Sequence, residues 1–120
     1  MAGLACGKAS PLAWQIISLA VDDFLTIGDD EAVSAMRFLA AGSERDIPVV
    51  AGESGAAGLA GLLSIARSPA YSASIGLGTK SRVLLINTEG ATAPLVYQQL
   101  VNQSAECVVE RQIHWLTTNS

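Results

Sequence analysis

Ser81-Arg-Val-Leu-Leu-Ile-Asn-Thr-Glu-Gly-Ala-Thr92 is the stretch on which the fold turns. Residues 83–86 are a short run of valine, leucine and isoleucine with no polar alternation, the pattern of a strand covered on both faces. Asn87, Thr88, Glu89 and Gly90 follow at its carboxyl end, where open α/β sheets hold their ligands. The expectation is a hydroxyl, a carboxylate and a glycine delivered to one point.

Upstream, Ser10-Pro11 reads as an N-cap with proline at the first helical position. Leu12, Ile16, Leu19 and Ala20 then share a face of a helix about ten residues long. Asp22-Asp23 breaks it, and residues 24–27 read as a strand ending at Gly28-Asp29. Asp29, Asp30 and Glu31 suit the start of a second helix, with Ala32, Val33, Met36, Leu39 and Ala40 as its buried stripe and Gly42 as its stop. Residues 47–50 read as another short strand, placed by Pro48 near an edge or its own beginning.

Glu53-Ser54 then opens a helix in which Gly55, Gly58 and Gly61 recur every third residue. Each glycine costs about 1 kcal/mol relative to alanine, so something offsets that cost: close helix packing, or a backbone or flat ligand drawn up to the small side. Residues 68–80 read as a loop or short helical excursion. Beyond Gly90, Thr92 and Pro94 start a helix with Leu95, Val96 and Leu100 on its apolar side. Residues 104–116 extend as a further helix, and residues 117–120 are expected to fray. Helices alternating with short buried strands predict an α/β fold, a partial three-layer sandwich with a small, mainly parallel sheet flanked by helices. Three strands are few for a free-standing sheet.

The chain of 120 residues is one domain at most, with half its residues hydrophobic and a net charge of -4. That charge argues against nucleic-acid backbones as partners, and no apolar run is long enough to span a membrane. Cys6 and Cys107 lack metal-type spacing and His114 is the lone histidine, so no metal site is expected and a reducing cytoplasm is the simplest home. Gly78-Thr-Lys-Ser81 imitates the end of a phosphate loop, but it precedes a strand instead of following one. No nucleophile stands in a recognisable elbow.

Three small-residue loops remain: Met1-Ala-Gly-Leu-Ala-Cys-Gly7, Gly52-Glu-Ser-Gly55 and Asn87-Thr-Glu-Gly90. In this order and spacing they resemble the C-terminal part of the 2,3-diaminopropionate ammonia-lyases, pyridoxal-phosphate enzymes of the tryptophan-synthase-β fold type (fold type II). The resemblance covers residues 1–108 or so and implies a lyase segment over residues 1–109 with a tail of uncertain origin at 110–120.

It implies that Thr88 bonds the pyridine nitrogen of pyridoxal 5'-phosphate, that Glu53 sits beside the ring's hydroxyl edge, and that Gly3 and Gly55 give the flat ring room. For Glu53 a plain charge at a helix start is the competing reading. The substrate implied is a small amino acid, 2,3-diaminopropionate, eliminated to pyruvate and ammonia, and a homo-oligomer through exposed apolar surface is expected. The lysine that bonds the cofactor and the loop that holds its phosphate lie upstream of the matching region in that family. Lys8 and Lys80 lack the surrounding signature, so no catalytic residue is assigned and the chain alone is expected to be inactive. Lys8 replaces the family's usual glutamate and Ala93 its usual aspartate. Another lyase or dehydratase of the same fold type, or a non-catalytic α/β interaction module, remain as alternatives.

Overall fold

The computed structural model describes residues 4–119, so the expectation for Gly3 lies outside the described residues. Its elements are helices joined by turns and irregular connectors: α1 (Pro11–Ala20), α2 (Asp29–Ala41), α3 (Glu53–Arg67), α4 (Pro69–Ser74), α5 (Pro94–Val101) and α6 (Ala105–Thr118).

Most helix boundaries follow local chemistry. Ser10 Oγ accepts from the Ala13 N–H at 3.4 Å ahead of Pro11, and Glu31 Oε2 accepts from the Gly28 N–H at 2.8 Å to close the start of α2. α2 ends at Gly42, whose φ of 59° places it in the left-handed region. A Cβ there would also lie 2.8 Å from Asp46 O and Pro48 N. Ser68 caps α4 and Ser104 caps α6. Of residues 117–120, expected to fray, α6 takes in Thr117 and Thr118, whose hydroxyls both donate to His114 O, and Ser120 lies outside the described residues. On α5, Leu95 is exposed, while Tyr97 and Val101 are the buried residues.

The expected α/β sandwich with a parallel sheet is overturned: among the described residues there is no strand and no sheet. Residues 24–27, 47–50 and 83–86 carry no regular secondary structure, and no ladder joins them. The backbone of residues 83–86 pairs with no other described segment, and the Val49 N–H donates to Leu39 O at the end of α2. Local preference of β-branched residues and leucine straightens a chain, but a strand needs a partner's N–H and C=O groups, and the run 83–86 carries no information about that partner. Its expected burial on both faces fails with it, because Leu84 is 85% and Ile86 70% exposed.

The core lies where α2, α3, α5 and α6 meet, with Ala35, Met36, Ala40, Ala56, Ala60, Tyr97, Val101 and Val108 in one cluster. Alanine dominates it, so α2 and α3 approach closely while burying little volume. α1 contributes no buried residue. The chain exposes 8652 Å², whereas a folded monomer of its 12.4 kDa exposes about 6,100 Å². Its radius of gyration of 15.9 Å likewise exceeds the roughly 13.6 Å of a compact domain this long.

Candidate functional site at the turn of residues 87–92

The turn after residues 83–86 is clamped onto the start of α3. Asn87 is committed twice: its Nδ2 donates to Val50 O at 3.0 Å, and its Oδ1 accepts from the Glu89 N–H at 3.3 Å in an Asx turn. The Gly52 N–H donates to Glu89 O at 2.8 Å. Glu89 Oε2 accepts from the Ser54 N–H at 2.8 Å, and its Oε1 accepts from the Thr92 hydroxyl at 3.1 Å. The Ser54 backbone donor, backed by Thr92, holds the Glu89 carboxyl below the ordinary carboxylate range against the opposing effect of burial. The open N–H groups that make a helix N-terminus attractive to anions are thus served here by a side chain of the chain itself.

Glycine makes this approach possible. At Gly55 a Cβ would collide with Asn87 Oδ1 and lie 2.5 Å from Glu89 O, and at Gly52 it would lie 2.5 Å from Gly90 O. The close approach predicted for the glycine helix is therefore real at Gly55, and what fills the space is the 87–89 turn. Gly61 faces Leu25 and Gly58 faces Leu85, each at its flexible tip.

Thr88, Glu53 and Gly55 are brought to one end of α3. Thr88 is exposed at the crest of the turn, and its hydroxyl makes no hydrogen bond among the described residues, in contrast to Asn87, Glu89 and Thr92. Glu53 is half-buried as the first residue of α3. It shares with Glu89, Thr92 and Tyr97 the lining of a small cleft of about 30 Å³, room for a single water. Two residues of this neighbourhood were not singled out by sequence reasoning. The Tyr97 hydroxyl is buried without a hydrogen-bond partner among the described residues, and burial pushes its ionisation up, opposed by the Arg111 charge. Arg111 donates to Ala40 O, Ala41 O and Gln103 Oε1, fastening α6 to the end of α2. Neither carries a motif, and only the packing of α5 and α6 on α2 makes them important.

No group of histidine, cysteine, aspartate or glutamate side chains among the described residues could hold a metal ion, and Cys6 and Cys107 are free and exposed. No described helix is long and apolar enough to cross a membrane.

Against known proteins, the chain is 34% identical over 111 residues to diaminopropionate ammonia-lyase of Escherichia coli (strain K12), covering 90% of the chain and 28% of that enzyme. The chain is similar to a portion of diaminopropionate ammonia-lyase. The Salmonella typhimurium (strain LT2) diaminopropionate ammonia-lyase is 37% identical over 105 residues, covering 84% of the chain and 26% of that enzyme. The chain thus spans about a quarter of the length of the curated lyases it matches, which fits a C-terminal fragment of a diaminopropionate ammonia-lyase. No family model matches it, and no solved structure does.

Proposed function

We propose that this chain is the part of a diaminopropionate ammonia-lyase-type enzyme that forms the floor of a pyridoxal-phosphate pocket. The observation that carries the reading is the Thr88 hydroxyl, exposed and without a hydrogen bond among the described residues while its neighbours Asn87, Glu89 and Thr92 are spent on holding the turn. The donor set fits the cofactor: a neutral hydroxyl at the crest, a carboxylate at Glu53, and an anion slot at α3 already filled by Glu89, which leaves the phosphate to be held elsewhere.

Pyridoxal phosphate, when bound, supplies an electron-accepting ring that stabilises negative charge at the substrate's α-carbon. Thr88 would donate to the pyridine nitrogen and leave it largely unprotonated, a setting suited to loss of a β-substituent. Glu53 would stand beside the ring's hydroxyl edge. Gly55 admits the 87–89 turn and so fixes the height of Thr88. The reaction of the whole enzyme converts 2,3-diaminopropionate and water to pyruvate and two ammonia. The lysine and acid–base groups that move the protons come from outside this chain.

The test is to co-express the chain with the portion of the Escherichia coli lyase lying outside the matching region, and to measure pyruvate release. The chain alone is expected to release none and the pair to release it. Thr88→Val should lower cofactor retention and turnover roughly tenfold, the worth of one such hydrogen bond. Full activity with Thr88→Val, or pyruvate from the chain alone, overturns the reading.

A further inference from the structure

We propose that Asn87 is a positioning residue for the cofactor contact of Thr88, an inference that rests on the function proposed above and deepens it. Thr88 has no hydrogen bond of its own among the described residues, through backbone or side chain, so its place is set by its neighbours. Asn87 reaches across it. Its Oδ1 accepts from the Glu89 N–H at 3.3 Å, which closes a ring around the Thr88 backbone, and its Nδ2 donates to Val50 O at 3.0 Å, which ties that ring to the connector leading into α3.

The two partners of this side chain demand an amide. Val50 O can only accept and the Glu89 N–H can only donate, so one planar group has to offer a donor and an acceptor at once. Aspartate has the same shape but, when ionised, no proton for Val50 O. The amide is also wedged in place, because Oδ1 lies so close to Gly55 that an added Cβ there would collide with it. Glu89 fastens the turn after Thr88, through Gly52, Ser54 and Thr92, whereas the Asn87 amide is the group that spans Thr88 itself.

The experiment uses the full chain, first alone and then paired with the Escherichia coli lyase portion outside the matching region in the presence of pyridoxal phosphate. In the chain alone, Asn87→Ala should speed amide exchange at Glu89 roughly fivefold, the worth of one lost hydrogen bond, at unchanged helicity by circular dichroism. In the pair, cofactor retention is read by absorbance after dialysis. Asn87→Ala and Asn87→Asp should each lower it about fivefold and Thr88→Val about tenfold. The double variant Asn87→Ala/Thr88→Val should fall no further than Thr88→Val alone, since a residue acting through the Thr88 hydroxyl has nothing to act through once that hydroxyl is gone. A residue that merely supports the fold would lower retention again. With Thr88→Val still impaired, normal retention in either Asn87 variant, losses that add in the double variant, unchanged exchange at Glu89, or lost helicity would each overturn the inference. Normal retention in Thr88→Val, or none in the unmodified pair, overturns the function proposed above and the inference with it.

Discussion

Glu89 ties together more of the site than any other residue. Its side chain accepts from the first turn of α3 and from Thr92, and its backbone carbonyl accepts from Gly52. Replacing it with alanine removes a helix-start acceptor and is expected to cost about 1 kcal/mol, with screening of this half-exposed group keeping the figure low. The sign with pH follows from its depressed ionisation: the contribution is fully present above the unfolded value of 4.5 and fades as pH falls through the lower folded value. Urea melts of Glu89→Ala and the unmodified chain should therefore differ at neutral pH and converge in acid. A difference that persisted in acid would remove the carboxylate from the explanation.

The glycines of α3 separate helix propensity from close approach. Gly58→Ala meets only Leu85 at an ordinary 3.5 Å, so it should stabilise the chain by about 0.5–1 kcal/mol through helix propensity. Gly55→Ala drives a methyl into Asn87 and the Glu89 carbonyl, and overpacking there should cost about 1–3 kcal/mol. Thermal melts of the two variants should move in opposite directions.

At the scale of elements, helix starts and stops were legible because they are local: Ser10-Pro11, the acids after Gly28, Gly42 and Ser104 each act within a turn of their own position. Segments 24–27, 47–50 and 83–86 misled because their appearance as strands depends on neighbours distant in sequence or absent from it. The candidate site was legible in part. Asn87 to Gly90 and the Glu53 helix start stood out by composition, whereas Tyr97 and Arg111 matter only through α5 and α6 packing, which no local pattern records.

α6 shows why the stretch 110–118 belongs in the folded body. The helix continues unbroken across Glu110, Arg111 binds the carbonyl end of α2, and Trp115 Nε1 donates to Ser43 O at 3.1 Å. Removing residues 110–120 should cost about 2–4 kcal/mol, the sum expected for charge-assisted and neutral hydrogen bonds at a helix end. A truncated chain that unfolds at the same urea concentration would show those bonds to be idle.

For the whole molecule, an alanine-rich core and a large apolar exterior describe a body whose stability is marginal alone. The sequence announced the hydrophobic content but not its placement, since a run of valine, leucine and isoleucine reads the same whether a neighbour covers it or water does. Sparse burial also means that regions open independently, and α1, with no buried residue, is expected to open first. Limited proteolysis should nick α1 or the 21–27 connector before any bond within α2 or α3.

The two tryptophans sit at opposite ends of that stability range. Trp14 in α1 leans on Phe24 with ring centroids 6.3 Å apart and remains half open to solvent, while Trp115 is tethered to the end of α2. Their emission therefore gives two readings from one spectrum: the blue component follows the integrity of the helical body, and the red component follows whatever comes to cover α1. A partner could be watched arriving by light alone, without a label and before any chemistry begins.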